Sequence, residues 1–155
     1  MKWSKCQELT SGVPSSASFT VLLVALDTSL VEVLQSAEII YRDLKMHGLN
    51  VLFDDRNEDA ITKLKDAERL GLPIRLTIGA SGLRSDKVEV HFDRHSIERP
   101  IERLIERPIE CPIDSSKAER TNQQLTQMIR IDECVERVGE IANELLKIRK
   151  SSQAL

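Results

Sequence analysis

Aromatic residues are scarce in this chain: Trp3, Phe19, Tyr41, Phe53 and Phe92 are all it has. Its core must therefore be built from Leu, Ile and Val. Exposed rings, which a stacking platform for single strands needs, are in short supply. Positive charge is not in excess either, since 22 Lys and Arg face 25 Asp and Glu, for a net charge of -3. Broad phosphate binders are basic overall, because neutralising phosphates drives their affinity. This balance speaks against that class and leaves room for a local site that reads a few groups. Cysteines are few and far apart: Cys6, Cys111 and Cys134 offer no pair at metal-ligand spacing and no even-numbered disulfide framework. Three free thiols fit a reducing compartment. The longest apolar run, Val21 to Leu26, is much too short to span a membrane. No apolar segment follows Lys2 and Lys5, so no signal peptide is visible. The expectation is a cytoplasmic protein with no membrane partner.

What is present reads as one α/β domain over residues 19–155, behind a leader or linker at 1–18 that contains Ser11-Gly12-Val13-Pro14-Ser15-Ser16. Phe19 to Leu26 suits a strand covered on both faces, as in a parallel sheet. Ser29 and Glu32 predict a capping box opening a helix, with Val33, Ala37, Ile40, Tyr41 and Leu44 on one face and Gly48 as its stop. Val51 to Phe53 is the next strand, reached by a right-handed crossover. Ile61, Leu64, Ala67 and Leu70 predict a short amphipathic helix ending at Gly71. Ile74 to Ile78 is the third strand, Gly79 to Gly82 a turn, and Val88 to Phe92 a fourth strand with alternating polarity. The interval between these two strands is too short for a helical crossover, so they should pair antiparallel and make the sheet mixed.

A change of composition follows. Ile97-Glu98-Arg99-Pro100 recurs as Ile101-Glu102-Arg103-Leu104, Ile105-Glu106-Arg107-Pro108 and Ile109-Glu110-Cys111-Pro112. Its prolines exclude a continuous helix, and it reads as a low-complexity insertion at 96–114. A long helix is predicted to close the chain. Ser116 and Glu119 would cap it, and its apolar stripe would run from Leu125 and Met128 through Ile131, Val135, Val138, Ala142 and Leu145. Such a helix can also overhang the domain and pack on a second copy of the chain, so a homodimer is among the expected partners.

Several chemistries lack their residues. Asp27-Thr28-Ser29-Leu30 follows the first strand where a glycine-rich phosphate loop would stand. No Gly-x-Ser-x-Gly elbow is present. His47 sits at a helix end, and His91 and His95 have no ligand partners at metal spacing. Asp54 and Asp55 lie at the C-terminal end of a strand, where α/β sheets gather their sites. Paired acids there suit Mg²⁺ or acid/base work. The simpler expectation is that one caps the next helix or pairs with Arg56.

The same stretch carries a resemblance. Asp54, Asp55, Arg56, Glu58, Lys63, Asp66, Ala67, Gly71, Pro73 and Gly79 stand, without a gap, in a pattern similar to the anticodon-binding domains of class II aminoacyl-tRNA synthetases, most closely the prolyl type. Gly82, Leu83, Lys87, Glu89 and Arg94 continue it, and Ala37 and Gly48 fit upstream, so the likeness covers about Phe19 to Arg94. The chain departs from the pattern at Asp59-Ala60-Ile61, where Arg-Pro-Gly is usual, and at Leu64, where an aromatic is common.

The resemblance implies an anticodon-binding-domain-like α/β fold; with the order of elements the expectation is three layers, a mixed sheet and a long C-terminal helix, that helix and the Ile-Glu-Arg-Pro insertion being unlike the family's usual ending. It implies a partner tRNA, specifically proline tRNA, and a separate synthetase catalytic domain. It implies no catalytic residue, metal or cofactor in this chain, since ATP and Mg²⁺ belong to that catalytic domain. The candidate RNA contacts are Arg56, Asn57, Glu58 and Lys63, followed by Glu89 and Arg94. Arg56 and Lys63 offer donors, while Asn57, Glu58 and Glu89 can discriminate base edges. The alternative is a free-standing interaction or regulatory module that kept the fold and lost tRNA reading.

Overall fold

The computed structural model describes residues 1–5, 19–93 and 124–153. The Ile-Glu-Arg-Pro repeat, the Ser116 and Glu119 capping box and Arg94 lie outside those residues.

Among the described residues, the order is β1 (Val21–Ala25), α1 (Val31–Met46), β2 (Val51–Asp54), α2 (Ala60–Leu70), β3 (Ile74–Ile78), α3 (Ala80–Arg84), β4 (Lys87–Asp93), β5 (Gln124–Arg130) and α4 (Ile131–Gln153). The strands form one sheet in the order β2-β1-β3-β4-β5. β1 runs parallel to both β2 and β3, with Val21 opposite Val51 and Ile74. β4 is antiparallel to β3 and to β5, so the sheet is mixed as expected.

Side chains alternate across the strands, and each face has its own core. Val21, Leu23 and Ala25 of β1 join Val33, Ala37, Ile40 and Leu44 of α1 and Val138, Ile141, Ala142 and Leu145 of α4. Leu22 and Val24 face the other way, with Trp3, Leu52, Ala67, Leu70 and Leu72. Helices therefore cover both faces, which gives three layers. Each fully buried aliphatic side chain contributes about 1.5–3 kcal/mol.

Several local expectations are corrected. α1 begins at Val31 with Leu30 as N-cap and no side-chain cap. Ser29 is diverted: its backbone N–H and its hydroxyl both donate to Asp27 Oδ1, at 3.1 and 2.5 Å. A local turn of this kind competes with capping. In α2 the buried face is Lys63, Ala67 and Leu70, while Ile61 is exposed. Gly79 to Gly82 is not a simple turn; Gly79 caps the short helix α3. Glycine is needed at position 82, since a Cβ there would lie 2.6 Å from the Lys87 carbonyl oxygen. Gly48 and Gly71 do end their helices with left-handed φ, +77° and +57°.

The largest correction is at the start of the last helix. Gln124 to Arg130 is a strand, with Val88 opposite Ile129 and Glu89 opposite Met128. Met128 is exposed there, and the helix starts at Ile131. From Ile131 onward the predicted stripe does face the core. Residues 1–5, expected as part of a leader, lie against the outer edge of β2. Phe53 N–H donates to the Met1 carbonyl at 2.8 Å, Lys2 bridges Phe53 in parallel, and Trp3 is buried.

Candidate functional site

β2 delivers Asp54 into the core at the C-terminal end of the parallel strands, where its side chain has no exposure. Its hydrogen-bonded partner is Arg56, and the Lys63 charge also acts on it. Asp54 Oδ1 accepts from Arg56 Nε at 2.9 Å and from the Arg56 backbone N–H at 3.3 Å, and Oδ2 accepts from Nη2 at 2.8 Å. Arg56 Nη1 reaches α2 and donates to Asp66 at 3.0 Å. The guanidinium carbon lies 4.0 Å from the centre of the Trp3 ring, a cation–π stack. The hydrogen bonds from Asp54 raise the Arg56 pKa above its ordinary value, with Asp66 adding to the effect.

Asp55 turns outward and accepts from the Ser4 backbone N–H at 2.9 Å and its hydroxyl at 2.7 Å. Lys63 has no exposed surface, and its ammonium donates to the Ala25 carbonyl at 2.7 Å. Burial lowers its pKa, against the opposing pull of Asp54. Asp59 caps α2, accepting from Thr62 N–H at 3.0 Å and its hydroxyl at 2.6 Å.

The five candidate contacts among the described residues, Arg56, Asn57, Glu58, Lys63 and Glu89, are therefore not brought together. Arg56 and Lys63 spend their donors on internal acceptors. Asn57 and Glu58 are exposed on the loop that those bonds hold. Glu89 lies across the sheet on β4, half-buried and paired with His91. The two acids Asp54 and Asp55 are each committed to a protein partner, and no three metal-ligating side chains cluster among the described residues.

A second region was not anticipated. α2 packs on one face of the sheet, with Ala67 and Leu70 in a cluster with Leu22, Val24 and Leu52. On that face stand Arg75 and Thr77 of β3, Glu89 and His91 of β4 and Thr126 of β5, in register. Arg75 Nε and Thr77 Oγ1 are buried and have no hydrogen-bond partner among the described residues. Buried polar groups are nearly always paired, so orphans here are unusual. Burial lowers the Arg75 pKa, partly offset by the charges of Glu68 and Glu89. Arg75 borders a cavity of about 180 Å³, with Ala67, Glu68 and Leu72 on one side and His91 and Asp93 on the other. The sequence did carry a signal, a lone cation inside the apolar strand Ile74-Arg75-Leu76. Strand periodicity assigns it no role, because an orphaned donor becomes visible only once the neighbours are placed.

His91 stands beside Arg75 on this face. Its Nε2 contacts Glu89 Oε1, and its Nδ1 shares a 2.8 Å hydrogen bond with Thr126 Oγ1. Burial, and then the charge of Arg75, lower its pKa from the usual 6.5. Between the folded pKa and 6.5 the unfolded chain binds more protons, so folding stability falls as pH drops through that window. Thermal midpoints measured between about pH 8 and pH 5 should fall with acid, and His91→Gln should remove part of that fall. An unchanged pH profile in the variant would contradict this account.

Three comparisons bear on the region. The model of the family described as "Anticodon binding domain" matches residues 20–141. A proline–tRNA ligase of Syntrophotalea carbinolica is 45% identical over 74 residues, 48% of this chain and 13% of that protein. One from Geobacter sulfurreducens is 42% identical over 74 residues, with the same shares. The chain thus matches about an eighth of the length of these curated relatives. Among solved structures, the RNA-binding domain of threonyl-tRNA synthetase from Cryptosporidium parvum Iowa II superposes with a TM-score of 0.52 at 13% identity. That match covers 80% of this chain and 24% of the other, and carries the fold alone.

Proposed function

The chain belongs to the anticodon binding domain family, and from that premise we propose that it reads guanine in the anticodon of proline tRNA, using the pocket at Arg75. Membership implies tRNA binding within a synthetase context. The identity of the tRNA and of the reading groups is the further step. The observation that carries it is Arg75, half-buried at the edge of a cavity, with a buried Nε that has no hydrogen-bond partner among the described residues.

Guanine presents O6 and N7 as acceptors and N1–H and its amino group as donors. Arg75 supplies fork donors for the first pair, and the carboxylate of Glu68 accepts from the second. Every proline codon begins with two cytosines, so every proline anticodon carries two guanines. The cavity is smaller than the roughly 300–1,000 Å³ of pockets for drug-sized ligands, which suits one base edge rather than a whole nucleotide. A splayed base entering such a pocket is the usual mode of sequence-specific RNA reading.

Asn57 and Glu58 remain candidates for a neighbouring contact from the α2 entry loop. Arg56 and Lys63 act on RNA only by holding that loop. In this reading the chain supplies recognition, while activation of proline with ATP and Mg²⁺ is the work of a separate catalytic domain. An interaction module without tRNA reading would leave the Arg75 Nε with no partner to serve. The test is titration of labelled anticodon stem-loops of proline tRNA. Weak, salt-dependent binding is expected, with a clear loss when the guanines are replaced by adenines. Equal affinity for both stem-loops would sink the proposal.

A further inference from the structure

We propose that residues 1–5 form a strap that positions α2 over the reading pocket, with Trp3 and Ser4 as positioning residues; this rests on the reading of Arg75 and Glu68 just given. The strap is attached at three places. Its backbone pairs with β2 at Phe53, and the Lys2 ammonium meets Glu38 of α1 at 2.5 Å. Both oxygens of Asp55 accept from Ser4.

Trp3 occupies the middle of the connection. One face of its ring carries Arg56, which bonds both the end of β2, at Asp54, and α2, at Asp66. Trp3 also packs in one cluster with Ala67, Leu70 and Leu72 of the α2 end. Ala67, Leu72 and the intervening Glu68 form the wall of the cavity opposite His91. Moving the strap therefore moves the guanidinium that tethers α2, and α2 carries Glu68.

Trp3 is the sole tryptophan of the chain, so its emission reports the strap directly. Ser4→Ala removes one hydrogen bond to a charged group and should red-shift that emission. It should also lower affinity for the guanine-bearing anticodon stem-loop by about tenfold. Ser4→Thr should restore both. Coupling between strap and pocket is reciprocal. Saturating the Ser4→Ala chain with that stem-loop should thus return the emission toward the wild-type wavelength, whereas a merely structural strap would not respond.

Unchanged affinity in Ser4→Ala overturns the strap. So does lowered affinity with an emission that RNA leaves unmoved. If Arg75→Lys weakens binding while Ser4→Ala does not, only the strap fails. If the wild-type chain shows no preference for guanine, the reading of the pocket fails with it.

Discussion

Replacing Asp54 with alanine should cost roughly 3–5 kcal/mol of folding stability, the usual penalty for breaking a buried ion pair from one side. The reason is what remains behind. Asp54 has no exposed side-chain surface, and Arg56 keeps only 9% of its own. Without Asp54 the guanidinium retains a single carboxylate, Asp66, which is itself 21% exposed. Three hydrogen bonds to the Asp54 oxygens disappear in one step. A domain of this size has only about 5–15 kcal/mol in total, so the loss is a large fraction. Asp66→Ala removes one partly solvated bond and should cost much less, on the order of 1 kcal/mol. Urea unfolding of the two variants checks the order. If Asp66→Ala proves the more damaging, Arg56 is anchored from α2 rather than from β2.

That pair also shows how far the sequence could be read. Asp54-Asp55-Arg56 was recognisable as a motif, and pairing of an acid with Arg56 was the simpler expectation. Its depth was not legible, because burial of Arg56 depends on Trp3 and Asp66, which come from other parts of the chain. The burial of Lys63 was not legible for a related reason. A lysine in a charged helix looks available, yet its ammonium turns inward and donates to the carbonyl of Ala25 at the end of β1. Counting every third residue placed Ile61 on the buried face of α2 instead. β1 to β4 were legible because their apolar runs were short and bounded by turn residues. β5 was not, since Leu125, Met128 and Ile131 have helical spacing and its partner β4 is distant in sequence. Local periodicity cannot distinguish a helix from an edge strand when the deciding hydrogen bonds are long-range.

Arg75 offers the opposite signature, a substitution that should weaken binding without weakening the fold. A buried donor without a partner is costly to keep, as the Nε of half-buried Arg75 is among the described residues, and an apolar replacement of similar volume removes that cost. Arg75→Met should therefore raise the thermal midpoint or leave it unchanged. Its effect on RNA should be large. Loss of a bidentate base contact is worth about 1–3 kcal/mol, roughly 5- to 150-fold in affinity for the guanine-bearing stem-loop. Binding to the adenine-substituted stem-loop should change little, because Arg75 discriminates rather than attracts. The salt dependence should likewise stay the same, since no phosphate contact is lost. Arg75→Lys should not rescue, as an ammonium cannot present the planar fork. Glu68→Gln should blur the preference between guanine and adenine while leaving the fold intact, because Glu68 is exposed. If Arg75→Met destabilises the chain and weakens both stem-loops equally, the guanidinium is serving the fold, and the base must be read elsewhere.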